Sequence, residues 1–326
     1  MRRRRLIGFT LMVLAVAAVV GYGAISVFAW TTLTDTAGSC AAYASTTPSD
    51  FTLAWTDASG TVRDAVPYRF AASDVTFPSR TSGLDIRAFW AAPPEGTAGR
   101  VVIVVHGTDS CRRDPANLLV AGMLAKHGYG VLAIDLRNFG ESSRDNGHWA
   151  GGIDEWPDVL GAWDWVRAQG YAADRVGIFG ESMGAAASAI AMAHEPGVAA
   201  AFLDSSFADI YTSTVYYAEM SGEPGWLVPG VLIVGQVLGG DNLLGPGPAD
   251  LFQTSLAGRP IAIVHGAVDG TIDVEEASKL AAAAAVGGTK VTPWIVPASD
   301  HVTARFTQTA EFETRLRAFF DESLAP

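Results

Sequence analysis

The sequence predicts an α/β domain built on a mostly parallel sheet with helices on both faces, preceded by one apolar N-terminal helix. Three observations predict this. From residue 101 onward, short apolar runs alternate with longer helix-like runs. The short runs are apolar throughout, as strands buried on both faces are, and do not alternate with polar residues. Residues 6–30 carry no charge at all.

The apolar stretch LIGFTLMVLAVAAVVGYGAISVFAW follows four arginines, Arg2 to Arg5. At ~1.5 Å per residue it spans about 37 Å, enough to cross a hydrocarbon core of about 30 Å. The apolar core of a signal peptide is shorter, about 7–15 residues. A retained transmembrane anchor is therefore the first expectation. Val27-Phe28-Ala29 resembles a small-residue cleavage site, which leaves a cleaved, secreted form as the alternative. The positive-inside rule keeps residues 1–5 cytoplasmic and places everything after residue 30 outside. Residues 31–66, rich in Thr, Ser, Ala and Asp without periodicity, are expected to be a linker.

The folded domain is expected over residues 67–326. YRFAASDVTF and LDIRAFWAAP have strand character, with a turn at Ser82-Gly83. VVIVVHG is a fully apolar strand, PANLLVAGMLAKHG a helix ending near Gly128, and YGVLAIDLR the next strand. EWPDVLGAWDWVRAQG is a helix, with Pro157 tolerable in its first turn. RVGIFG and VAAAFLDSS are strands around the small-residue helix SMGAAASAIAMAH. After a break come the strand PIAIVHG, the helix VEEASKLAAAAAVGG, the strand TKVTPWIVP and the amphipathic helix QTAEFETRLRAFFDESL. The break, about residues 208–258, is read as a helical lid-like insertion, with an ordinary crossover as the alternative. Its apolar part is short and Gly-interrupted, a poor second membrane span.

Composition narrows the function. The chain has 22 basic and 34 acidic residues, net −12, and four of the basic ones lie before residue 6. The remainder is more acidic still, which argues against a nucleic-acid surface. Two cysteines, Cys40 and Cys111, are too few for a disulfide scaffold. They are expected as free thiols, with a single bridge as the alternative.

The chemistry starts at Gly180-Glu181-Ser182-Met183-Gly184. The G-x-S-x-G pattern is short enough to arise by chance, so its context decides. Here an apolar strand ends at the pattern and a helix of small residues begins. A serine on such a sharp strand-to-helix turn sits where ligands bind in doubly wound sheets, and bulky neighbours would clash. Ser182 is the candidate nucleophile. It needs a base, and there are six histidines. His127 and His194 fall at helix ends. His148 lies in a loop at the wrong place in chain order. His106 and His265 each follow a strand in His-Gly and are read as backbone-shaping. His301, after the last strand, is the candidate base. The imidazole needs a carboxylate, and Asp269, just past the strand IAIVHG, supplies the order Ser, Asp, His. Asp273, Asp300 and Asp204 are its rivals, with Asp273 read as a helix N-cap. The oxyanion donors are expected to be the backbone N–H groups of Met183 and Thr108. Arg112 and Arg113 are expected to face solvent or line the entrance.

Taken together, HGTDS, AIDLRNFGESS, IFGESMGAA, HGAVDGTID and SDH, in this order over about residues 68–324, resemble the α/β-hydrolase superfamily. The chain is most similar to membrane-anchored, small-lid serine hydrolases near the Bem46-like and prolyl-oligopeptidase-like groups. The resemblance implies that Asp135 and Gly140 shape a loop beside the site. The 208–258 segment departs from a standard lid. The expected activity is hydrolysis of acyl esters through an acyl-enzyme, without metal or organic cofactor. Peptidase or amidase chemistry is the second reading, and a catalytically idle binding protein the third.

Overall fold

A computed structural model describes residues 2–326, with side chains from Leu6 onward. The side chains of residues 1–5, the basic end expected to stay cytoplasmic, lie outside the described residues. The elements follow in chain order. Helix α1 (Arg2–Leu33) leads to a short hairpin, β1 (Ala54–Thr56) and β2 (Val62–Asp64). Strands β3 (Ser73–Pro78), β4 (Asp85–Ala91) and β5 (Val101–Val105) precede α2 (Pro115–Lys126). Then come β6 (Gly130–Ile134), α3 (Trp156–Ala168), β7 (Val176–Glu181), α4 (Met183–His194) and β8 (Ala200–Asp204). The insertion holds α5 (Ile210–Met220), α6 (Val228–Val234) and α7 (Pro248–Ser255). The chain ends with β9 (Ile261–Gly266), α8 (Glu275–Val286), β10 (Trp294–Val296), α9 (Ala304–Thr307) and α10 (Thr309–Ser323).

Eight strands form one sheet in the order β10-β9-β8-β7-β5-β6-β4-β3. β3–β4 and β4–β6 pair antiparallel and the rest parallel. Every residue of β5, β6, β7 and β8 is buried, which is why these runs carry no polar alternation. One face packs α3, α4, α7 and α8 through residues such as Val159, Ala187, Phe252 and Leu280. The other packs α2 and α10 through Leu118, Leu124, Phe312 and Phe320. Strand order reverses direction at β5, next to β7, so the loops after these two strands open together at one sheet edge. β10 is shorter than TKVTPWIVP suggested, because Pro293 has no N–H for the ladder.

The region expected as a linker is instead folded onto the domain. Phe51 is buried in the same cluster as Leu118. Trp55 Nε1 donates to Thr309 Oγ1 at 2.8 Å, and Thr36 N to the Gly147 carbonyl at 3.1 Å. Cys40 and Cys111, expected as free thiols, are bridged, with Cα atoms 5.8 Å apart. Both corrections have one cause. Turns and a three-residue hairpin leave no periodic signal, and their partners lie far away in sequence. The 208–258 insertion is helical, as its sequence suggests, and α6 packs along the second half of α1.

Candidate active site

β7 delivers Ser182 to the sheet edge and α4 starts on the next residue. Ser182 has φ 52° and ψ −124°, a backbone that a side chain rarely adopts. Its N–H is held by the Asp204 carbonyl at 2.8 Å. A side chain at position 184 would run into the His106 and Val105 carbonyls, and one at 180 into the Gly184 carbonyl. The two glycines thus let the turn close, and the run of alanines keeps α4 against the strands.

Ser182 Oγ lies 2.8 Å from His301 Nε2, and His301 Nδ1 lies 2.8 Å from Asp269 Oδ2. Three residues far apart in sequence form one hydrogen-bonded chain. Asp269 Oδ1 accepts from the N–H groups of Thr271 and Ile272 at 2.8 and 2.9 Å, which fixes the carboxylate plane. Burial pushes the Asp269 carboxyl up, but the hydrogen bonds from His265 and His301 overcome it and hold it well below the usual carboxylate range. Of its rivals, Asp273 accepts from the Glu275 N–H at 3.0 Å, just before α8, and takes no part in the chain. Asp300 accepts from the Gly270 and His301 N–H groups at 3.0 and 2.7 Å, clipping the Asp269 loop to the His301 loop.

The loop after β5 lies against the nucleophile. A side chain at Gly107 would touch Ser182 Cβ at 3.0 Å. The Thr108 and Met183 N–H groups have no acceptor among the described residues, so both remain available to a ligand. Met183 also heads α4, where the helix dipole favours negative charge.

Several site neighbours escaped sequence reasoning. His265, read as backbone-shaping, is fully buried, with Nε2 3.0 Å from the Ile272 carbonyl and 3.2 Å from Asp269 Oδ2. Burial lowers the His265 imidazole, but Asp269 and the Ile272 carbonyl outweigh it and move it up. The i, i+4 spacing His265–Asp269 was the available signal. His106 instead shapes the β6 end, accepting from the Leu136 N–H at 3.1 Å. His127 pairs with Glu313, His194 stacks on Trp156, and His148 meets Thr34 Oγ1 at 2.9 Å.

Arg305 is completely buried beneath the elbow, bonded to Asp204 Oδ2 at 3.0 Å and to Glu181. Burial pushes the Asp204 carboxyl up, Arg305 opposes it, and Glu181 adds to it. Arg112, expected to face solvent or line the entrance, is instead completely buried and bonded to Asp135, Asp74 and Glu141. Asp135 further accepts from the Arg112 and Glu141 N–H groups at 2.7 and 3.0 Å, tying the β5 and β6 loops together. From the insertion, Tyr216 of α5 donates its hydroxyl to the Asp269 carbonyl at 2.9 Å. Among the described residues no cluster of three or more His, Cys, Asp or Glu could hold a metal ion.

Comparison with known proteins gives a consistent setting. Residues 96–236 match the family model described as serine aminopeptidase, S33. None of the curated proteins matches the sequence. Among solved structures, a Pyrococcus furiosus esterase superposes with TM-score 0.64 at 20% identity, covering 80% of this chain and 94% of that one. The Rhodococcus sp. esterase RhEst1 gives TM-score 0.53 at 18% identity, covering 77% and 99%. Pyrococcus horikoshii acylaminoacyl peptidase gives TM-score 0.59 at 18% identity, covering 78% of this chain and 42% of the peptidase. At such identities these likenesses speak for the fold.

Proposed function

We propose that this chain, which has the α/β-hydrolase fold, is a serine hydrolase of esterase or peptidase type, and more closely a membrane-tethered, extracytoplasmic hydrolase of acyl esters; the family match over residues 96–236 supports the reading. The observation that carries the reading is the chain Asp269–His301–Ser182 at the end of a strand, with the serine in a strained conformation. Ser182 Oγ attacks the acyl carbon while His301 Nε2 takes its proton. Asp269 holds His301 in the tautomer that leaves Nε2 free, and stabilises the imidazolium that forms. The Met183 and Thr108 N–H groups receive the oxyanion. The intermediate collapses, and His301 returns the proton to the departing alkoxide. Water then attacks the acyl carbon as His301 takes one of its protons, and the second intermediate collapses by breaking the acyl–Oγ bond while His301 returns that proton to Ser182 Oγ, releasing the acid. The residues themselves suffice for this sequence, with no group borrowed from a cofactor.

Membrane attachment and outside location rest on separate features. Leu6–Leu33 has mean hydropathy 2.3 over its most apolar window, only 6% of which is buried. Cleavage after Ala29 would strip α6 of Tyr22 and Ser26, which argues for a retained anchor. The Cys40–Cys111 bridge suits an oxidising compartment. Peptidase chemistry is the second reading, favoured by the serine aminopeptidase match.

Two measurements test the proposal. A fluorophosphonate probe should label the wild-type chain, and Ser182→Ala should abolish labelling with the fold intact. Labelling that survives in the variant removes Ser182 as nucleophile, and a wild-type chain that never labels supports a catalytically idle protein. Turnover of nitrophenyl esters should exceed that of peptide nitroanilides. The reverse order establishes the peptidase reading.

A further inference from the structure

The helical rod Gly225–Gly239, made of a 3-10 turn, α6 and a π turn, contains no charged residue. Its inner faces are accounted for. Val228 and Leu232 pack with Phe207 and Ile210, while Gly230, Gly235 and Gly239 lie against Tyr22, Ser26 and Trp30 of α1. Its outer face is not. Trp226, Ile233, Val237 and Leu238 are 53% to 70% exposed, and Pro229 is exposed between them. The 226, 229, 233, 237 spacing is a single helical stripe, where a water-facing helix would carry polar residues.

The position of this stripe along α1 says what covers it. The contacts run parallel. Tyr22 OH donates to the Trp226 carbonyl at 3.1 Å and accepts from the Gly230 N–H at 2.9 Å, while Trp30 meets Gly235 and Gly239 further along. Of the described side chains of α1, only Leu6 to Gly21 stand free of the domain, exposed at every position. At ~1.5 Å per residue that is about 24 Å of helix. A hydrocarbon core of about 30 Å needs roughly four residues more. The outer boundary therefore falls near Ile25, level with the Tyr22 and Ser26 contacts to the rod. Any later entry point than Leu6 would draw the rod deeper.

We propose that the Gly225–Gly239 rod is seated in the outer leaflet of the membrane that α1 spans, so that the catalytic domain lies on the bilayer surface instead of hanging from a tether. The inference rests on reading α1 as an anchor. Tyr22 and Trp226, stacked with ring centres 5.8 Å apart, sit at the depth where aromatic belts form. Glu219 and Glu223, both exposed at the inner end of the rod before Trp226, limit how deep it can sit, so the seat is interfacial and not a second span.

The test uses the full chain in phosphatidylcholine vesicles. Because both native cysteines are bridged, a nitroxide can be placed by Trp226→Cys, Pro229→Cys, Val13→Cys or, as an exposed site on α8, Val286→Cys. Each variant is first checked for an unchanged Tm. The Val13, Trp226 and Pro229 labels should be relaxed more by oxygen than by an aqueous nickel chelate, and the Val286 label the reverse. If Val13 reports lipid while Trp226 and Pro229 report water like Val286, the seating is overturned and the anchor stands. If Val13 also reports water, the anchor reading fails and the seating with it.

Discussion

Replacing Asp269 by Asn separates the candidate triad acid from its neighbour Asp273. In the wild type, Asp269 Oδ2 accepts a hydrogen bond from His301 Nδ1 at 2.8 Å and Oδ1 accepts from two backbone N–H groups. An asparagine keeps its oxygen on the backbone donors, which leaves its NH₂ facing Nδ1. That geometry selects the tautomer with the proton on Nε2, where Ser182 can no longer be deprotonated. The same change costs about 10⁴-fold in turnover in the best-studied serine protease, and a loss of that order is expected here. Two charge-assisted contacts of Oδ2, from His301 and His265, are lost with it, together worth about 3 kcal/mol, or roughly 6–12 °C in Tm for a domain of this size. The pH dependence carries a sign. Asp269 is held below its unfolded value of about 3.9, so its stabilisation is complete at neutral pH and is lost as pH falls below that value. The Tm gap between wild type and Asp269→Asn should therefore close below about pH 4, and it should also narrow as pH rises through the raised His265 value, where the imidazolium that Asp269 stabilises loses its proton. In Asp273→Asn the amide oxygen still accepts from the Glu275 N–H, so both turnover and Tm should barely move. Turnover of an activated ester and melting curves across pH decide the matter. A folded but inactive Asp273→Asn, or an Asp269→Asn that keeps more than a tenth of wild-type turnover, refutes the assignment.

Arg305→Met should destabilise the domain by about 3–5 kcal/mol, because Glu181 and Asp204 would be left buried without their cation. The deficit in Tm should shrink in acid as those carboxylates take up protons, and a variant as stable as wild type at neutral pH would show that the cluster carries no such role. The Cys40–Cys111 bridge closes a separation of 71 residues, so the paired Cys40→Ser, Cys111→Ser variant should lose about 2–4 kcal/mol. Alkylation of the chain taken directly from cells should find no free thiol, and two free thiols would count against both the bridge and the outside location.

Local pattern carried much of this protein. β5 and β7 were legible because a strand buried on both faces is apolar at every position, and such runs are rare outside parallel sheets. The elbow was legible because the steric demand of a strand-to-helix turn falls on residues two apart, Gly180, Ser182 and Gly184, so one short window records it. Asp269 and His301 were legible only as an order along the chain, each just past a strand. Their 2.8 Å contacts depend on where β9 and β10 stand beside β7. Other features left no mark in sequence. Arg305 looks like any arginine in an amphipathic segment until folding buries it between Glu181 and Asp204. Cys40 and Cys111, the β1–β2 hairpin and the α1–α6 contact all join residues separated by tens to hundreds of positions. Hydrophobic periodicity reports which face of an element is buried, because that depends on the element's own repeat. It is silent on the partner that buries the face, which is set only when the chain closes on itself.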